Sequence, residues 1–110
     1  MAAERWLASR NRTGIERSAL VAVGAGEFRG RWQCAPGTND DQVRVSVLVE
    51  ISYDNGSTWQ AVSGPTVFAG NAPARGATSA PIEFTARADG YLRLSVDVSG
   101  SWRFGIDVLT

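Results

Sequence analysis

The chain has 110 residues, with twelve glycines and four prolines, which suits one domain that buries about two-thirds of the surface its unfolded chain exposes. Its eleven basic residues are all arginine and balance eleven acids, so the composition carries no electrostatic footprint for nucleic acid. Histidine is absent and Cys34 is the only cysteine, which removes the commonest base near neutral pH, an intramolecular disulfide and a cysteine zinc site.

In chain order, residues 1–17 mix Trp6 and Leu7 with Arg5, Arg10, Arg12 and Arg17 against Glu4 and Glu16. A helix over Ala2 to Ser9 is too short to persist alone. The segment reads as an N-terminal arm rather than a core element, with Trp6, Leu7, Arg10 and Arg12 as partner-binding residues, because aromatics and arginine are the usual interface anchors. Removal of residues 1–12 is expected to leave a folded domain, residues 18–110, that no longer assembles. The N-terminus lacks a basic stretch followed by a long apolar core, so no secretory signal is visible, and no run approaches the roughly 18 apolar residues of a membrane span.

Ser18 to Val23 and Phe28 to Cys34 read as two strands joined by the glycine-rich turn Gly24-Ala25-Gly26. The loop Ala35 to Asp41 holds Asn39, Asp40 and Asp41, oxygen donors suited to calcium but too few to complete its shell of six or more. The strongest signal follows. Val43, Val45, Val47, Val49, Ile51 and Tyr53 alternate with Arg44, Ser46, Glu50 and Ser52, with Leu48 the one exception, as a half-buried strand requires. Asp54-Asn55-Gly56 then turns the chain back through Ser57 to Val62.

Thr66 to Phe68 is a short strand, and residues 69–80 form a long loop of small and polar residues suited to a second contact. Pro81 to Ala86 resumes the alternation. Tyr91 to Val98 and Trp102 to Val108 repeat it around Ser99-Gly100, which predicts a closing hairpin with Leu92, Leu94, Val96, Val98, Trp102, Phe104, Ile106 and Val108 inward. By the same parity Trp32 and Trp59 point inward as well, leaving Trp6 and Tyr91 free. Turn signals about every ten residues and the absence of a convincing helix predict an all-β fold, an antiparallel β-sandwich of jelly-roll or immunoglobulin-like type with seven to eight strands and an N-terminal arm.

Ser52-Tyr53-Asp54-Asn55-Gly56-Ser57-Thr58-Trp59 resembles the Asp-box, S-x-D-x-G-x-T-W, which recurs once per blade in sialidases and other β-propellers. A single copy does not make a propeller, which needs four or more blades. The match therefore reads as a structural hairpin built on Ser52, Asp54, Gly56, Thr58 and Trp59, with Asp54 accepting from the turn's own N–H groups.

Over the chain as a whole, Arg12-Thr13-Gly14, the Asp-box strand end, the Ala/Gly loop and the closing Gly90-Tyr91-Leu92-Arg93-Leu94 resemble small structural proteins of bacteriophages. The resemblance implies a virion part such as a capsid decoration or tail accessory protein, made in the host cytoplasm. Its partners would be proteins, copies of itself and a larger capsid or tail, with no nucleic acid and no membrane. Catalysis has no visible apparatus: no phosphate loop, serine elbow or metal triad occurs, no cofactor is implied, and Asp97 and Asp107 read as salt-bridge partners of Arg93 and Arg103. The alternative is a carbohydrate-binding β-sandwich module that takes a glycan on exposed aromatic rings.

Overall fold

The computed structural model describes residues 3–35, 44–62, 65–69 and 78–110. Eight strands follow in order: β1 (Ala3–Arg17), β2 (Val21–Val23), β3 (Gly26–Ala35), β4 (Arg44–Ser52), β5 (Gln60–Ala61), β6 (Thr66–Ala69), β7 (Thr78–Ala86) and β8 (Gly90–Leu109). All their pairings are antiparallel and belong to one sheet, strongly curled into a half-barrel. The all-β expectation with seven to eight antiparallel strands holds. The Asn39–Asp41 calcium reading, and residues 70–77 of the predicted loop, lie outside the described residues.

β8 is the axis of the molecule. One of its edges carries β1 along residues 95–109 and β2 along residues 90–92. The other carries β4 on residues 91–99 and β3 on residues 105–109, so the sheet forks there into a β4 branch and a β3 branch. β5 and β6 extend the first branch and β7 the second. Pro81 sits in β7, an outer strand of the sheet, the place where a residue without an N–H is tolerated.

Two expectations are corrected by this axis. Tyr91 to Val108 is not a hairpin: β8 runs unbroken through Ser99-Gly100 and makes no pairing with itself. Gly100 takes a φ of 103°, and Gly14 on β1 takes 70°, beside a register shift between Arg12 and Gly14. A glycine at positive φ on each strand, either side of this register shift, lets both strands of the ribbon bend together, which curls the sheet without ending either strand. Side-chain parity survives the bend, so Leu92, Leu94, Val96, Val98, Trp102, Phe104, Ile106 and Val108 are all buried, as the alternation predicts.

The second correction concerns residues 1–17, read as an arm beside a separate domain. Residues 3–17 are β1, hydrogen-bonded along β8 and part of the same sheet. Leu7 joins the core at 4% exposure, and Trp6 packs against it. Ser18 closes the strand: its N–H donates to the Leu94 carbonyl at 2.9 Å while its hydroxyl accepts from the Leu94 N–H at 2.8 Å. Propensity alone does not make a strand of this arginine-rich segment; the free edge of β8 does.

The core gathers the inward faces of both branches. Val45, Val47, Val49 and Ile51 come from β4, Trp32 and Cys34 from β3, Ile82 and Ala86 from β7, and the even-numbered residues of β8 from Leu92 to Val98 and from Trp102 to Val108 lie among them. Trp102 and Phe104 stack with ring centroids 5.0 Å apart. Burial pushes the Cys34 thiol up to about 12, so the neutral form persists through physiological pH. Trp59 departs from its parity. It stands half-buried outside the core cluster, because β4 ends at Ser52 and the turn resets the face.

Candidate functional site

Three surface regions were brought together by the fold: the β4–β5 turn, the rim beside it, and the outer face of the β4 branch. The turn is built from its own residues. Asp54 accepts from the Thr58 N–H at 2.8 Å and the Thr58 hydroxyl at 2.5 Å, and the Ser52 hydroxyl donates to it at 2.7 Å. The Gly56 N–H donates to the Ser52 oxygen at 2.8 Å, and the Trp59 indole N–H donates to the Gly56 carbonyl at 3.1 Å. Asn55 and Gly56 take φ values of 58° and 89°, the left-handed conformations that glycine and asparagine tolerate best. These hydrogen bonds favour the carboxylate, and those from Thr58 first of all hold Asp54 at about 2.

Thus the aspartate spends its acceptor capacity inside the turn. Ser52, Asp54, Gly56, Thr58 and Trp59 form one connected hydrogen-bonded unit at the end of β4. The turn is also pinned to the sheet. The Arg93 guanidinium lies 3.9 Å from the Trp59 ring centroid and donates from Nε to Glu50 at 3.0 Å.

Beside the turn a rim cleft of about 430 Å³ is lined by Tyr53, Asn55, Asp89 and Tyr91 with Ala22 and Gly24. Parts of it are committed to structure. Asp89 accepts from the Ala25 N–H at 2.9 Å, and Tyr53 carries Arg87 over its ring at 4.1 Å while its hydroxyl accepts from the Arg87 N–H at 3.3 Å.

The outer face of the β4 branch is a four-strand surface. Register places Ile15 of β1 beside Asp97 of β8, Asp97 beside Ser46 of β4, and Ser46 beside Val67 of β6, all in one row. The next row holds Arg17, Ser95 and Leu48. Ile15 is 61% exposed and Val67 55%, and with Leu20 they are the large exposed hydrophobics among the described residues. A shallow depression of about 360 Å³ on this face brings Ile15, Arg17, Leu48, Pro65, Ser95 and Asp97 together.

The four residues assigned to an arm fare differently, and this is a correction. Leu7 and Arg12 are buried, Trp6 is half-buried against the core, and only Arg10 is exposed. Arg10 pairs with Glu16 at 2.6 Å. Arg12, 2% exposed, donates from Nε to the Phe104 carbonyl at 3.4 Å, from Nη1 to Glu16 at 3.1 Å and from Nη2 to the Ala8 carbonyl, with its guanidinium 5.6 Å from the Phe104 ring centroid. Loss of water around it lowers its pKa from the ordinary arginine value. Arg12 therefore binds its own strand ribbon, and Leu7 its own core.

The predicted salt bridges are also re-paired. Asp107 takes Arg5 at 2.7 Å and Arg93 takes Glu50, while Asp97 and Asp107 lie on opposite sides of the bend at Gly100. Such carboxylates do not form a catalytic pair facing one cleft. Among the described residues, no group of three or more His, Cys, Asp or Glu stands where a metal ion could be held.

Sequence reasoning missed Ile15 and Val67 as members of one surface. Leu48 did carry a signal, as the apolar residue on the polar side of an otherwise regular alternation. No protein-family model, curated protein or solved structure matches the chain.

Proposed function

We propose that this protein is a non-enzymatic structural or assembly protein, a bacteriophage virion component of the capsid-decoration or tail-accessory kind, which acts through protein–protein contacts. In this reading the curled sheet serves as a rigid body of jelly-roll type, and its working surface is the outer face of the β4 branch. The observation that carries it is the placement of Ile15 and Val67, exposed by 61% and 55%, on one row of the four-strand outer face of the curled sheet. Asp97 and Ser46 stand between the two, and exposed apolar side chains set among polar ones on a single face make the mixed surface that protein–protein contacts use.

Density-gradient separation of phage particles tests this directly. The tagged chain should band with the particles, and Ile15→Asp combined with Val67→Asp should leave a folded protein at the top of the gradient. Wild-type chain that stays with free protein, or a double variant that bands normally, overturns the reading.

The rim cleft favours a second reading, a carbohydrate-binding module, since Tyr53, Tyr91, Asn55 and Asp89 supply ring and polar groups of the kind sugars use. Retarded migration in gels containing soluble polysaccharide, lost in Tyr91→Ala, supports it; unchanged migration across the polysaccharides that phage hosts display removes it.

A further inference from the structure

The outer face of the β4 branch has a symmetry in its residue types that its register makes visible. We infer that the partner seated on this face is a second copy of the same chain, in an isologous dimer; the inference rests on the contact face proposed above and names its occupant.

Adjacent strands lie about 4.8 Å apart and residues two apart in a strand about 6.8 Å apart. Ile15 and Arg17 of β1 therefore stand at two corners of a lattice whose next column is Asp97 and Ser95, and whose third is Ser46 and Leu48. A line drawn in the face from Ile15 to Leu48 has Arg17 on one side and Asp97 on the other, level with each other along it but about 5.6 Å and about 2.8 Å away from it, a difference the long arginine side chain can span. Ser95 and Ser46 are level in the same way, about 2.8 Å and about 5.6 Å from the line on opposite sides. Rotation by 180° about that line lays a second copy face down on the first.

Each such pairing is favourable. Arg17 of one copy meets Asp97 of the other, twice over, Ile15 and Leu48 lie near their own counterparts, and the small serines oppose each other with no bulk between. That is the self-complementarity a two-fold interface demands. Among the described residues, neither Arg17 nor Asp97 makes an ion pair within the chain, and Arg44, which lines a depression with Asp97 on this face, makes none either. Two opposite charges on one face, adjacent yet not joined, are free to pair across the axis.

Light scattering and sedimentation of the full chain over a concentration series read the result. Wild-type protein should pass from monomer to dimer. Arg17→Asp alone and Asp97→Arg alone should each weaken dimerisation at least tenfold, because each puts like charges face to face. The double variant Arg17→Asp/Asp97→Arg restores opposite charges and should recover affinity to within a few-fold of wild type. Circular dichroism of each variant should match the parent, since both side chains are exposed. A chain that stays monomeric at every concentration, assembles as a trimer, or dimerises equally well with either single change overturns the inference. Particle banding that is still lost in the Ile15→Asp/Val67→Asp variant would, in that event, leave the proposed contact face standing with a different protein on it.

Discussion

The β4–β5 turn and strand β1 both lie at the margins of the sheet and both are rich in polar residues, yet they are held in opposite ways. Every hydrogen bond that shapes the turn joins residues no more than four apart, from Ser52 to Trp59. β1 instead depends on residues at the far end of the chain: Arg5 on Asp107, Arg12 on Phe104, and Leu7 on the core. A segment whose partners are in its own sequence can be recognised from a motif. One whose partners are elsewhere takes its conformation from them.

The sharpest way to break this comparison is to remove β1. Deletion of residues 1–12 strips the paired edge from residues 102–109 of β8 and takes Leu7 out of the core. The truncated chain should fail to fold cooperatively, seen as loss of a thermal transition by circular dichroism. A truncated chain with a sharp transition near that of the full chain would restore the view of this segment as an arm.

A smaller effect is expected at Arg12. Arg12→Ala leaves the buried Phe104 carbonyl and the Ala8 carbonyl without this donor, at a cost of about 1–3 kcal/mol in urea unfolding. Arg12→Lys should recover only part of it, because an ammonium cannot present the forked donors that reach both carbonyls and Glu16. Full recovery by lysine would show that charge rather than shape holds the ribbon.

The smallest effect belongs to the turn, and pH isolates it. Asp54 is held at about 2, below the ordinary carboxylate value of 3.8. A carboxylate with a lowered folded-state pKa contributes stability that is fully present above about pH 4 and lost as pH falls towards 2. Asp54→Asn should therefore lower the melting temperature at neutral pH and flatten its decline between pH 4 and pH 2. Identical slopes for the two proteins over that window would show that the turn's hydrogen bonds contribute nothing to folding.

Much of the fold was legible in these terms. Alternation from Val45 to Ile51 marked β4, and the even-numbered residues of β8 were placed inward correctly on either side of Gly100. The Ser99-Gly100 pair is ambiguous at that level, because a glycine at positive φ serves a hairpin turn and a continuous bend equally well. Trp59 was placed inward by a parity that the intervening turn does not conserve. The contact face was hidden for a similar reason. Leu48 stood out within its own strand, but Ile15, Val67 and Asp97 come from three other strands and become neighbours only through register.

By itself, then, the sequence determined what is local: which residues face in along β4 and β8, the all-β class, and the closed hydrogen-bonded circuit of the turn from Ser52 to Trp59. Period-two burial and a self-satisfied turn need no knowledge of distant partners. Tertiary structure alone decided the pairing of β1 with β8, the fork of the sheet between β3 and β4, and the gathering of Ile15, Arg17, Leu48 and Asp97 on one surface. Those depend on which edge is free to accept a strand, and backbone N–H and C=O groups are the same at every edge, so side-chain pattern does not choose between them.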